Sequence, residues 1–416
     1  MELASLVNPK CQTYEDLVTA CLTSSGYFVE ANLHLREENK EILELDVIAT
    51  PYSNPIDGVL LLEAKSGDTG INDLFKLFGW RTFLGIPRAY LVRSTPIKEF
   101  DLPAVERVAS ETGITVATLM PTDSFDWSLF PHRSLLLPME MRELLARVVW
   151  HGRIAKRMCL AAFTSTGREP HNVAHRKARD YRWAVEQCAF EKKPLERIRA
   201  AYEAFHQFPF ITKAVVEEEV PDSGLSEAGM WSSLRNSCRF LHIQFCLMIE
   251  HTARLRIAKN LVVHANHSER SEDSTLWQAE ERRLPSSCRK GLGVIQGSPH
   301  RNQLPYLWQL FIEVLGGFYS TVDDCDLTLL SQCTEIPTSD IEGCLDLYAR
   351  LFPSKNGWWV THENELKMLK HVPGIYHGTG VLLRAQLVGR DFYEKRHPRS
   401  RNQLRQWEHA LHKAMP

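Results

Sequence analysis

The sequence predicts an α/β domain over residues 1–125, followed by a mostly α-helical region over residues 135–416. Two observations predict this division. Helical and strand-like patterns open the chain in the order αβββαβαβ, and after Pro121 the apolar residues recur almost throughout at helical spacing. A chain of 416 residues also exceeds the roughly 100–200 residues of one ordinary domain. The polar stretch near 265–305 is a candidate boundary within the helical region.

The first element is a helix that begins near Thr13. Its apolar residues fall on one face at a spacing of three to four. They are Tyr14, Leu17, Val18, Cys21 and Leu22. Thr13 is predicted to cap this helix with Asp16 completing a capping box, and Gly26 suits its exit.

Three strand-like runs and two further helix–strand pairs complete the predicted mixed sheet. The strands are predicted at 27–36, 41–50, 58–65, 88–93 and 114–120, and the helices at 72–84 and 102–112. Turn residues separate the first three strands, at 37–40 and 51–55. This arrangement is typical of a sheet with helices packed against it.

Beyond Pro121 the pattern is helical, and polar stretches mark the predicted loops. Helices are predicted at 139–163, 171–190, 195–207, 230–264, 304–320, 340–351 and 403–413. Loops are predicted at 221–228, 265–275 and 285–303.

The composition is that of a globular protein without a membrane anchor. Hydrophobic residues make up 44% and charged residues 24% of the chain, and no apolar run approaches the roughly 18 residues that a membrane-spanning helix needs. The first ten residues lack the layout of a signal peptide, so we expect the protein in the cytoplasm. Its ten cysteines show no zinc-ligand spacing and are expected to be reduced structural thiols.

The charge of the chain is unevenly distributed. Residues 1–130 carry 10 Lys and Arg against 19 Asp and Glu, a net charge of −9, and the remaining residues carry 39 against 32, a net charge of +7. Residues 131–200 alone hold 15 basic and 7 acidic side chains. If the substrate is a polyanion, we expect the second part of the chain to attract it.

Two carboxylates interrupt the otherwise apolar face of one predicted strand. Side chains alternate along a strand, so Glu44 and Asp46 share a face with Ile42 and Ile48. The next strand places Glu63 and Lys65 together on one face. A hairpin between these strands would bring Glu63 roughly opposite Glu44 or Asp46, within reach of a shared cation.

Carboxylates buried in this way need a partner, because an unpaired buried charge is costly. Oxygen ligands suit Mg²⁺, and Mn²⁺ can substitute for it. We expect Asp46, Glu63 and the Ala64 carbonyl to hold the ion, with Glu44 as a further candidate ligand. A bound cation can polarise a phosphoryl oxygen and make a metal-bound water nucleophilic. Lys65 is placed to orient or deprotonate that water and to offset phosphate charge.

The arrangement D-x(16)-E-A-K within an αβββαβ order resembles the PD-(D/E)XK nuclease superfamily, in particular its Mrr-like and Holliday-junction-resolvase-like branches. The resemblance lies in the Tyr14-Glu15 helix start, the Glu44-Leu45-Asp46-Val47-Ile48-Ala49 strand and the strand that continues into Glu63-Ala64-Lys65-Ser66-Gly67. It implies a restriction-endonuclease-like fold and Mg²⁺-dependent phosphodiester hydrolysis, with Asp46, Glu63 and Lys65 as the catalytic set and Glu15 as an added acidic residue. It covers about 30% of the chain.

Each supporting residue has a second interpretation. Glu15 and Glu44 are as consistent with a helix-dipole contact and an edge salt bridge as with metal binding. Lys76 could contact a phosphate or be a solvated lysine. The superfamily's Pro-Asp pair is absent at Asp46, which follows Leu45, and Asp57 lies only six positions before Glu63, so we interpret Asp57 as a turn residue.

The helical region offers candidate nucleic-acid contacts. A basic helix carries Arg176, Lys177, Arg179 and Arg182, with Tyr181 and Trp183 available for stacking. These residues, like the basic cluster at 395–401, could instead form a solvated charged face. His264 and His267 are interpreted as loop histidines, and Arg235 with His242 is a weak candidate for a second, RNA-cutting site.

The sequence thus predicts a Mg²⁺-dependent endonuclease for DNA, by analogy a restriction or antiviral defence effector. The helical region would select the substrate, form a homo-oligomer or bind a partner protein. The alternatives are a repair or recombination nuclease for branched DNA, and a non-catalytic scaffold that retains the fold.

Overall fold

A computed structural model describes two compact units of the chain, one within residues 11–153 and one within residues 239–414. The described residues are 11–37, 40–67, 70–120, 130, 137–147, 149–150, 153, 239–270, 274–315, 317–353, 357–362, 366–369 and 399–414.

The first unit contains a five-stranded mixed sheet with helices, as the sequence predicts. Its elements are α1 (Cys11–Ser24), β1 (Tyr27–Glu37), β2 (Lys40–Pro51), β3 (Leu60–Lys65), α2 (Ile71–Leu84), β4 (Arg88–Arg93), α3 (Leu102–Thr112) and β5 (Ile114–Thr118). The strands lie in the order β1-β2-β3-β4-β5. The pairs β1–β2 and β2–β3 are antiparallel, and β3–β4 and β4–β5 are parallel.

Alternating side chains of the central strands build a core on each face of the sheet. On one face, Leu61 and Leu91 pack with Leu74 and Leu77 of α2 and with residues of α3. Leu62 points to the opposite face and is also buried. Helix α1 contacts β1, β2 and β3, and none of its residues belongs to the core formed by α2 and α3. The side of the sheet that α2 covers is the one that carries Glu63, as described below.

Residues after the predicted domain limit of 125 pack against α1. The indole Nε1 of Trp150 donates to the Thr13 carbonyl at 2.9 Å, and Arg153 Nε lies 2.8 Å from Asp16 Oδ1. Thr13 is the third residue of α1, so its predicted role as the helix cap was wrong, and Asp16 binds Arg153. The predicted limits of 125 and 135 stay predictions, but helical residues 139–147, 149–150 and 153 belong with the first unit.

Replacing Trp150 with phenylalanine is expected to lower the free energy of unfolding by about 1–2 kcal/mol. The substitution removes the hydrogen bond to Thr13 and part of a fully buried ring. Urea denaturation would measure the change. Met139→Ala is the control, because Met139 lies in the same helical segment and is exposed; if Trp150→Phe changed stability no more than this control, the packing against α1 would be disproved.

The second unit is mostly helical, as predicted, and also holds a small sheet. Its elements are α4 (Arg239–Arg270), α5 (Ser274–Arg283), α6 (Ser286–Gln296), α7 (Leu304–Glu313), β6 (Phe318–Ser320), α8 (Cys325–Thr334), α9 (Thr338–Leu351), β7 (Trp359–His362), β8 (Leu366–Leu369) and α10 (Arg399–Ala414). The strands form an antiparallel sheet in the order β6-β8-β7. No helix among the described residues is both long and apolar enough to cross a membrane.

Several predicted boundaries in this unit were wrong. The helix predicted to reach Ser320 ends at Glu313, and the chain turns through Gly317, whose φ of 76° is left-handed, into β6. The predicted loops at 265–275 and 285–303 contain the end of α4 and the whole of α6. The predicted helices at 171–190 and 195–207 and the predicted loop at 221–228 lie outside the described residues.

Three of the cysteines described in this unit fit the prediction of structural thiols, and a fourth, Cys325, is free and partly buried. Cys288, Cys333 and Cys344 are free and buried. Burial raises the pKa of Cys288 and of Cys333 to about 12. These thiols are therefore protonated at neutral pH and contribute as small apolar side chains.

Candidate metal centre

The antiparallel register of β2 and β3 brings two acidic side chains together. Val47 pairs with Leu62 and Ile48 pairs with Leu61. Continuing the register by one residue places Asp46 opposite Glu63, on the same face of the sheet. The strand alternation in the sequence predicted this pairing and left Glu44 as the alternative partner.

Asp46 is held in place by the neighbouring strand. Its Oδ2 accepts a hydrogen bond of 2.8 Å from the backbone N–H of Ala64. Burial, and after it the negative charge of Glu63, raise the pKa of Asp46 from 3.8 to about 6, although the Ala64 hydrogen bond and the nearby lysines act to lower it. The folded chain therefore holds this carboxylate at a cost in free energy.

Glu63 is the most deeply buried acidic group of the cluster, with only 1% of the residue exposed. Its Oε1 lies 2.6 Å from Lys65 Nζ and 3.0 Å from Lys76 Nζ. Its Oε2 is buried and has no hydrogen-bond partner within the described part of the chain. Both cations thus bind one oxygen, and the other oxygen is left available for a further positive ligand.

Two neighbours position the lysines. Lys76 Nζ lies 4.0 Å from the centroid of the Trp80 ring. Asp73 Oδ1 lies 3.8 Å from Lys65 Nζ, while the Oδ2 of Asp73 accepts a 3.0 Å hydrogen bond from Gly70 N at the start of α2. Burial acts to lower the pKa of Lys65, but the hydrogen bond and charge of Glu63 and the charges of Asp46 and Asp73 outweigh it and raise that pKa.

Asp73 and the pairing of Lys76 with Glu63 were missed in the sequence. The signal for Asp73 is the Gly70-x-x-Asp73 spacing at a helix start, where an acidic residue binds the orphan backbone N–H groups. The sequence contains Lys76 as a basic residue of α2 but does not show which face of that helix meets β3.

The structure also describes the two other acidic residues predicted at the site, Glu15 and Glu44. Glu44 is exposed on β2, and Glu15 is partly buried on α1. Among the residues that the structure describes, no three His, Cys, Asp or Glu side chains are grouped closely enough to hold one ion. Their predicted roles stay predictions.

Asp57 lies where the sequence predicted it, in the turn between β2 and β3. It is exposed, and its backbone N–H donates to Asn54 Oδ1 at 3.1 Å. An alanine at Gly58 would place its Cβ 2.5 Å from Pro51 Cγ and 2.6 Å from the Asn54 carbonyl oxygen, so this turn needs a glycine. The turn fixes the register that aligns Asp46 with Glu63.

The predicted nucleic-acid contacts Arg176, Lys177, Arg179 and Arg182 lie outside the described residues, as do Arg235 and residues 395–398. Lys76 is described, and it contacts Glu63. His264 and His267 lie in α4, so their assignment to a loop was wrong, and both rings pack against Trp277.

The cluster of Asp46, Glu63, Lys65 and Lys76 combines two carboxylates with two ammonium groups. Mg²⁺ is commonly bound by one or two carboxylates together with water, and Asp46 and Glu63 supply two. The partnerless oxygen of Glu63 and the raised pKa of Asp46 are both features that a cation would relieve.

Comparison with known proteins identifies no relative of this chain. No family model, no curated protein and no solved structure matches it.

Proposed function

We propose that the chain is a Mg²⁺-dependent endonuclease that hydrolyses phosphodiester bonds in DNA. The observation that supports it best is the pair formed by Asp46 and Glu63, in which one buried oxygen of Glu63 has no partner among the described residues. The resemblance of the Asp46, Glu63 and Lys65 spacing to PD-(D/E)XK nucleases supports phosphodiester hydrolysis as the reaction. Asp46, Glu63 and the Ala64 carbonyl would hold the ion, and Mn²⁺ could substitute for it.

A bound Mg²⁺ would supply Lewis-acid activation of the phosphodiester and of the attacking water. The side chains of this chain supply the positioning. Asp46 is fixed by the Ala64 N–H, and Glu63 is fixed by two ammonium groups. The raised pKa of Lys65 keeps its Nζ protonated at neutral pH, so Lys65 would orient the water and offset phosphate charge as a cation.

Substrate capture is proposed to depend on the basic part of the chain. Residues 1–130 carry a net charge of −9, which repels a polyanion, whereas residues 131–200 hold 15 basic against 7 acidic side chains. DNA is the proposed substrate because the nuclease branches that the motif resembles act on DNA. A restriction or antiviral defence role is proposed by the same analogy.

A cleavage assay tests this function. The purified full chain is incubated with plasmid, linear, single-stranded and branched DNA and with RNA, in Mg²⁺ or in EDTA. We expect cleavage of DNA in Mg²⁺ and none in EDTA. Cleavage that is unaffected by EDTA, or absent on every nucleic acid, would contradict the proposal. Cutting confined to branched DNA would favour a repair or recombination nuclease, and cutting confined to RNA would overturn the choice of substrate.

A further inference from the structure

A cavity in the second unit combines positive charge with aromatic walls. It has a volume of about 340 Å³ and opens where residues of α4, α6, α9 and α10 meet. Its cations are Arg254, Lys290 and Arg350, and its aromatic residues are Phe352, Trp358 and Trp407. We call it the cationic cavity.

The charges of the cationic cavity are all of one sign. Arg254 is buried, whereas Lys290 and Arg350 are exposed. The described residues that line the cavity include no Asp or Glu. Three cations around one small, partly apolar space create a positive potential that favours an anionic ligand.

The aromatic side chains are fixed by their own contacts. The guanidinium carbon of Arg254 lies 4.6 Å from the centroid of the Trp358 ring, and the Trp407 Nε1 donates to Ser287 Oγ at 2.9 Å. Gly291 lets α6 approach Trp407 closely, because a Cβ at this position would lie 3.2 Å from the indole ring. The cavity walls are therefore held in place before a ligand binds, which lowers the entropic cost of binding one.

We propose that the cationic cavity binds a mononucleotide. The phosphate would be bound by the exposed Lys290 and Arg350, and the nucleobase would lie in the cavity beside Trp407. A volume of about 340 Å³ lies at the small end of the range for ligand pockets, which suits one nucleotide and not a strand of nucleic acid. This site does not rest on the proposed nuclease activity.

Isothermal titration calorimetry of the full chain with AMP, ATP and UMP tests the site. We expect at least one of them to bind with a Kd below about 1 mM. Lys290→Glu and Arg350→Glu should each weaken that binding at least about tenfold, because each replaces a charge-assisted contact with repulsion. Val294→Trp should abolish binding by filling the cavity without a change of charge. Arg289→Glu is the matched control, since Arg289 is exposed on the same helix and does not line the cavity.

Three results would overturn the assignment of a mononucleotide site to the cationic cavity. The first is the absence of binding for all three nucleotides to the unsubstituted chain. The second is equal weakening by Arg289→Glu, which would indicate a general charge effect. The third is that tripolyphosphate, which has no ring, binds as tightly as the best nucleotide. Circular dichroism of each variant establishes that a loss of binding does not come from unfolding.

Discussion

Replacing Lys65 with methionine is expected to lower the rate of Mg²⁺-dependent DNA cleavage by about 10²–10⁴-fold, the range for loss of a positioned catalytic side chain. Methionine keeps most of the aliphatic stem of Lys65 and removes its ammonium group. Glu63 retains Lys76 as a partner at 3.0 Å, so the fold should survive the change. Single-turnover cleavage of a linear duplex, with DNA binding measured separately, would give the effect on the chemical step.

Lys76→Met provides the informative comparison, because Lys76 binds the same oxygen of Glu63. Lys76 is more exposed than Lys65 and lies on α2, so we expect its loss to weaken DNA binding or cleavage by about tenfold or less, in the range of a single surface charge contact. Asp57→Asn is the control for the acidic residues, and it should cleave like the parent chain. Equal activity of Lys65→Met and the parent, or loss of cleavage in Asp57→Asn, would show that the site has been assigned to the wrong residues.

The second large effect is a gain in stability that accompanies a loss of activity. Asp46→Asn should abolish cleavage and yet raise the free energy of unfolding of the metal-free chain at pH 7 by up to about 3 kcal/mol, the equivalent of a pKa raised from 3.8 to about 6. Asparagine can still accept the hydrogen bond from Ala64 N, while the burial of a charge and its repulsion by Glu63 disappear.

The pH dependence of this stability difference follows from the raised pKa. Protonated Asp46 favours the folded state, so its contribution is fully present below about pH 4 and is lost as the pH rises through about 6. The advantage of Asp46→Asn should therefore be small near pH 4 and should grow up to pH 7. Urea denaturation in EDTA at several pH values measures it. A variant that is less stable than the parent at pH 7, or a difference that does not change with pH, would contradict the account of Asp46.

Saturating Mg²⁺ should reverse this order of stability. The ion binds the folded parent chain and would stabilise it by mass action, whereas Asp46→Asn would have lost a ligand. This stability–activity conflict at Asp46 is expected where a site is built to hold an ion.

The sheet of the first unit could be predicted because each of its strands carries a local signal. The alternation in β2 and β3 and the turn residues predicted at 51–55 define the strands, and their register then places Asp46 against Glu63. The contacts of Lys76 and Asp73 could not be predicted, because they depend on how α2 crosses back over the sheet. Such packing is a tertiary property that no spacing within α2 encodes.

The errors in the second unit have a similar cause. The sequence around Gly291 and Gly293 favours a loop, yet α6 forms because Cys288, Leu292 and Ile295 are buried on one face and Gly291 allows close packing. The end of α4 is polar, but His264 and His267 pack on Trp277 and Asn266 donates to Asn302 Oδ1 at 2.7 Å. Contacts between residues distant in sequence thus stabilise these helices where the local preference for helix is weak.

Titration of the full chain with Mn²⁺, followed by electron paramagnetic resonance, measures whether Asp46 and Glu63 bind a divalent cation. We expect the parent chain to remove Mn²⁺ from the free pool and Mg²⁺ to displace it. Asp46→Asn and Glu63→Gln should lose this binding, while Asp57→Asn should retain it. Binding of Mn²⁺ that is equally strong in Asp46→Asn, Glu63→Gln and the parent, or an absence of binding to the parent, would contradict the proposed cation site.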